Sequence, residues 1–150
     1  MADFSYFKRL DVAPEATARL PLYMIVEAGV PVPTLILRPA TIHNTRFHNE
    51  SMRRLERRQK GGERDAFERL LRDVDRELFA QHVIVGWEDV TDAHGTPVAF
   101  ASDVALEYFR AMPDSLFDQV RFFARDESNF RQVIDAASAA GNSPGASGGS

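Results

Sequence analysis

The side chains able to do acid–base, metal or nucleophilic chemistry are few and poorly spaced for it. Four histidines occur, His43, His48, His82 and His94. His43 and His48 are five positions apart, on different sides of any helix that carries them. His82 and His94 fall at opposite ends of an expected hairpin. No H-E-x-x-H pattern and no His/carboxylate facial-triad spacing is present, so surface or capping histidines are the ordinary reading. Asp89–Gly95 follows a calcium loop as far as its central glycine. The bidentate Glu due six residues later is Ala101, so the segment reads as a turn. Gly145-Ala146-Ser147-Gly148-Gly149 spells G-x-S-x-G, but with no strand before it and no His after it. The absence of cysteine excludes thiolate catalysis, disulfides and Cys-ligated metals. Scattered carboxylates such as Asp73 and Asp75 give an enzyme no positive support. No catalytic residue, metal or cofactor is expected.

Two features point instead to binding. Arg53-Arg54-Leu55-Glu56-Arg57-Arg58-Gln59-Lys60 is the most concentrated charge run. Its arginines suit phosphates or an acidic protein surface. They equally suit a solvated helix end, where the dipole favours cations. The second feature is aromatic: 11 of the 150 residues are Phe. Phe117, Phe122, Phe123 and Phe130 cannot all lie on one core stripe, so some are expected to stay exposed until a partner or second copy covers them. Arg53, Arg54, Arg57, Arg58 and these four phenylalanines are the candidate partner-binding residues. The single Trp87 reads as core.

The elements that must position them follow from hydrophobic pattern. Hydrophobic residues make up 44% and charged residues 27%, as in a folded chain of one-domain length. The net charge of −4 is unevenly spread. Residues 51–80 hold nine Lys/Arg against seven Asp/Glu, and residues 81–150 four against ten. Nucleic acid is therefore the weaker partner for the arginine run, and self-association between basic and acidic regions is open. The longest apolar stretches, Leu20–Val26 and Val30–Leu37, are too short for a membrane and contain Pro. The N-terminus lacks the layout of a signal peptide, which makes the cytoplasm the default.

Phe4–Leu10 fits a short helix or an anchoring strand. Leu20–Ala28 and Pro33–Arg38 read as a strand pair around a Gly/Pro break. Asn44–Lys60 reads as a helix ended by Gly61-Gly62. Glu63–Ala80 carries Phe67, Leu70, Leu71, Val74, Leu78 and Phe79 on one apolar stripe, which predicts a second helix. Val83–Trp87 and Val98–Phe100 read as a hairpin around Asp92–Gly95. Helices are expected over Asp103–Met112, capped by Ser102, and from Asp114 or Ser115 to Ala124, with Pro113 between them. A short one begins near Ser128. The sum is a single α+β domain over residues 1–135: an N-terminal strand pair, two central helices, a β-hairpin and a C-terminal helical segment. Residues 136–150, rich in Gly, Ser and Ala, read as a disordered tail.

Several of these segments, taken in order, carry a family pattern. Asn44-Thr45-Arg46-Phe47-His48-Asn49 precedes the basic helix. Val83–Val90 contains Gly86-Trp87; Asp92-Ala93-His94-Gly95 is followed by Pro97 and Phe100; then come Met112-Pro113, Leu116-Phe117 and Asn129-Phe130. Over residues 33–131 the chain resembles the tail assembly chaperones of long-tailed bacteriophages. Those proteins show a strand with G-W, a D-x-x-G turn, P-x-x-F, a break between helices and a late N-F. The pattern commonly has Asp before its glycine, where this chain has His94. The resemblance implies a non-enzymatic protein of the host cytoplasm. Such a protein coats the helix-rich tape measure protein until tail tube protein polymerises around it, and is then displaced. The residues agree with it: surplus aromatic side chains suit gripping a partner helix, and the uneven charge suits weak self-association. The alternatives are a structural tail or connector protein kept in the virion, and a nucleic-acid-binding accessory protein using Arg53–Lys60.

Overall fold

The computed structural model describes residues 2–13, 15–25, 29–58 and 64–131. The side chains of Arg57 and Arg58, the Gly61-Gly62 stop, and the expected 136–150 tail lie outside the described residues.

Strands β1 (Ala18–Pro21) and β2 (Thr34–Leu37) pair antiparallel, Ala18 opposite Leu37 and Pro21 opposite Thr34. Pro21, which cannot donate to a ladder, sits at the end of an edge strand. β2 is central because Leu35 and Leu37, two positions apart, both point into the core and are fully buried. Its other neighbour is β3 (Ile84–Glu88), antiparallel, giving the order β1-β2-β3. Ile36 faces Gly86 while Leu37 faces Ile84, so Val85 is an inserted, exposed residue.

This pairing corrects the expected hairpin between Val83–Trp87 and Val98–Phe100. The Asp92–Gly95 turn forms, with Asp92 Oδ1 accepting from the His94 and Thr96 N–H groups at 2.8 and 2.9 Å and Gly95 at φ +79°. Beyond one bridge, Thr91 to Pro97, the returning arm forms no strand. It is held by the Asp92 N–H donating to the Thr96 carbonyl and the Val98 N–H to the Val90 carbonyl, both at 2.9 Å, and by the Trp87 indole Nε1 donating to the Val98 carbonyl at 2.8 Å. β3 pairs with β2 through one edge, and no described strand pairs with its other edge.

Helix α1 (Thr45–Arg58) starts at Asn44, which is fully buried. Its Oδ1 accepts from the Phe47 N–H at 3.4 Å, and its Nδ2 donates to the His82 carbonyl at 2.7 Å. Helix α2 (Arg64–Leu78) runs without a loop into a π-helical turn, Phe79–Val83, and on into β3. That turn buries Phe79, Ala80 and Val83. Helix α3 (Ser102–Ala111) begins after Ala101 with no side-chain cap, so Ser102 is its first residue and not its N-cap. Helix α4 (Asp114–Arg125) follows Pro113, and one helical turn occupies 128–131. The N-terminal segment resolves as a 3₁₀ helix, Ser5–Leu10.

Four rings pack edge-on or tilted through the core. Phe47 to Phe79 is 5.5 Å between centroids, Phe79 to Phe117 is 5.6 Å, and Phe117 to Phe109 is 5.3 Å. Phe130 belongs to a second, small cluster with Val12 and Ala16. The expectation that Phe117 and Phe130 offer partner surface is therefore corrected: both are fully buried. Four phenylalanines did exceed one stripe, and the fold meets that excess with two cores. Phe123 is partly buried against Phe130, and of these four Phe122, 69% exposed, is the one that faces solvent freely.

Candidate functional site

Three surfaces carry enough chemistry to be considered, and each is set by how the helices pack. The first lies between α2 and α4. Arg72 makes a bidentate pair with Asp118, both contacts at 3.0 Å. Arg121 reaches Asp118 at 2.9 Å and Asp75 at 2.8 Å, and Arg125 reaches the same Asp75 oxygen at 2.8 Å. Arg76, 7% exposed, donates to the carbonyls of Phe109 (2.8 Å) and Met112 (3.1 Å) at the end of α3, and to Asp114 (2.9 Å). Its guanidinium also lies 4.9 Å from the Phe117 ring centroid. One oxygen of Asp75 and both oxygens of Asp118 are thus engaged with cations, an arrangement that fastens α4 to α2.

Asp118 of this lattice and His82 of the π-helical turn give a pH dependence. Hydrogen bonds from Arg72 and then Arg121 hold the Asp118 carboxyl below the usual carboxylate range, despite some burial. His82 is shifted the other way relative to its charge: burial, ahead of its charged neighbours, lowers its pKa and favours the neutral ring. Both groups have folded pKa values below their unfolded ones, so both contribute stability that is lost as pH falls. His82 acts on crossing the ordinary imidazole range, Asp118 on crossing the carboxylate range and below. The urea midpoint, followed by Trp87 fluorescence, is expected to fall in two stages on acidification from about pH 7.5. His82→Gln removes the upper stage and Asp118→Asn reduces the lower. A single stage unaffected by either substitution contradicts the assignment.

The second surface is the arginine run of α1. Arg53 pairs with Glu50 at 3.1 Å, and Arg54 bridges Glu50 and Glu77. The Glu77 contact raises the Arg54 pKa further. Arg54 lines a mixed-charge pocket of about 410 Å³ with Leu70, Asp73, Arg76, Glu77 and Arg110. Two of the four predicted arginines are therefore brought together with acids, and Arg57 and Arg58 have no described side chains.

The third surface is apolar. Phe4, just before the N-terminal 3₁₀ helix, and Tyr6, Phe7 and Leu10 on it are each at least half exposed, with the Tyr6 and Phe7 rings tilted to one another at 4.4 Å between centroids. On the body of the domain, Tyr23 and Met24 project from the β1–β2 connection, 70% and 58% exposed. Met24 and Ile25 join Tyr108, Ala111, Met112, Pro113 and Leu116 around an open pocket of about 310 Å³. Burial raises the pKa of the Tyr108 hydroxyl. Sequence reasoning missed this surface, because it weighed the phenylalanine surplus of α4. The available signal was Tyr23-Met24 between strands and Met112-Pro113 between helices, large apolar residues at element ends instead of on stripes.

The sequence profile of the YdaY prophage protein family matches residues 42–142, two thirds of the chain. The chain belongs to that family. The match spans α1, α2, β3, α3 and α4, and begins after β2. Among the described residues, β3 is the one strand inside the matched region, and β1 and β2 lie before it. No curated protein and no solved structure matches the chain. Among the described residues, no three His, Asp or Glu side chains group closely enough to hold a metal ion. No described helix is long and apolar enough to cross a membrane.

Proposed function

We propose that this prophage protein is a non-enzymatic tail assembly chaperone. It binds the tape measure protein in the host cytoplasm, keeps it soluble, and gives way as tail tube protein polymerises. The observation that carries this reading is the uncovered apolar surface: aromatic side chains on the 3₁₀ helix, and the pocket flanked by Tyr23 and Met24. Exposed apolar surface of this kind serves contact with another chain. Membership of a prophage family and the resemblance over residues 33–131 support the same reading.

Binding by many weakly associating copies, with avidity doing the holding, suits a coat that must later be shed. The nucleic-acid alternative is disfavoured because Arg53 and Arg54 are already paired with Glu50 and Glu77.

The test is mass spectrometry of the lysate and of purified particles after prophage induction. The chaperone reading expects the protein abundant in lysate and missing from particles. A fixed copy number in particles would overturn it in favour of a structural tail component.

A further inference from the structure

We propose that the face where α1 packs against the π-helical turn, carrying Arg38, Arg46, Arg54 and His82, binds a carboxylate presented by an acidic protein segment. This site does not rest on the chaperone reading; it adds a charged contact to the apolar one. Its geometry follows from backbone anchors. The Asn44 Nδ2 donates to the His82 carbonyl at 2.7 Å, and Phe47 packs on Phe79 at 5.5 Å between centroids, so the start of α1 is fastened to the turn. The Arg38 N–H donates to the Val83 carbonyl at 2.7 Å, which brings the end of β2 to the same place. Arg46, Glu50 and Arg54 follow one another four positions apart on α1 and form one row along it.

Charge selects the occupant. Besides burial, the charges acting on the His82 ring are those of Glu50, Arg46 and Arg54 on α1 and of Arg38 just after β2, three cations against one acid. That acid is already engaged: Glu50 pairs with Arg53 at 3.1 Å and with Arg54 at 3.4 Å. Arg46 is exposed and forms no ion pair with a described residue. It stands in the first turn of α1, where the helix dipole disfavours a cation, so its charge does not stabilise the helix that carries it. A carboxylate docked beside Arg46 and His82 answers this surplus, as Glu50 and Glu77 already do for Arg54. The net charge of −4 opposes the dense charge of a nucleic acid more than the sparse charge of an acidic loop. His82 makes the site sensitive to pH. A carboxylate beside it offsets the arginines and favours the protonated ring, so binding takes up a proton and strengthens as pH falls through the imidazole range.

The histidine rings give the readout. Full-length ¹⁵N-labelled protein would be titrated with a soluble poly-Glu peptide, with a single-stranded oligonucleotide, and with sodium chloride at matched ionic strength. The expected result is saturable movement of the His82 ring by poly-Glu, with His94 on the Asp92–Gly95 turn still, and an upward move of the pH at which His82 titrates. Arg46→Gln, an exposed substitution, should weaken binding about fivefold. His82→Gln should keep binding at neutral pH and remove its rise between about pH 7.5 and 5.5, where poly-Glu stays ionised. An unmoved His82, the same movement with chloride, or unchanged affinity in Arg46→Gln overturns the inference. Tighter binding of the oligonucleotide assigns the site to phosphates and also overturns it, as does a pH dependence that survives His82→Gln.

Discussion

Asp75→Leu is expected to cost about 3–5 kcal/mol of folding stability, measured by urea unfolding with Trp87 fluorescence. Asp75 is 3% exposed, and one of its oxygens takes hydrogen bonds from both Arg121 and Arg125 of α4. Removing the carboxylate leaves Arg121, its side chain 16% exposed, with only Asp118 to answer its charge. Arg125 is 39% exposed and can turn to water, which places the loss toward the lower end of that range. The cost comes from uncompensated charge and not from lost attraction. Replacing Asp75, Arg121 and Arg125 together by Leu, Leu and Met should therefore recover most of it. A single substitution that shifts stability by less than about 1 kcal/mol would mean the pair is loosely solvated.

Phe79→Ala should be at least as damaging, at about 3–5 kcal/mol, since no apolar neighbour can collapse into the space of a fully buried ring. Phe79 is the middle link between Phe47 of α1 and Phe117 of α4, and Arg125 lies 5.7 Å from its centroid. Domains of this size are stable by roughly 5–15 kcal/mol, so the substitution removes a large share. Phe79→Leu keeps most of the volume and should cost clearly less. Similar losses for the two variants would show that the edge-on ring contacts matter more than the filled space.

How far the sequence was legible follows from the range of the interactions involved. Helix α2 was readable because Phe67, Leu70, Leu71, Val74 and Leu78 repeat at helical spacing. Of the N-terminal pair, β2 falls inside the expected Pro33–Arg38, whereas β1 is Ala18–Pro21 and meets the expected Leu20–Ala28 only at Leu20 and Pro21, with Leu22–Ile25 outside any strand. The partner of β3 was not readable: the Asp92–Gly95 turn advertises a hairpin, whereas β2 lies some fifty residues upstream. The lattice between α2 and α4 was equally hidden, since Arg72 and Asp118 are 46 positions apart and each looks like an ordinary surface charge. The Arg54 pair was hidden in the same way, with Glu77 of α2 lying 23 positions away, whereas the Arg53–Glu50 pair is local, three positions apart on α1. The phenylalanine count was correctly seen as too large for one stripe, but composition could not reveal a second cluster joining Phe130 to Val12.

The unbroken passage from α2 through the π-helical turn to β3 has a mechanical consequence. A loop there would act as slack, letting the helix tilt without disturbing the sheet. With none, the 15 residues of α2, roughly 22 Å long, form a lever whose fulcrum is the packed Phe79–Val83 turn. A pull at the far end of α2 must be delivered to β3, and through its ladder to β2. Load on the start of α2 is thus transmitted to the strands in place of being damped.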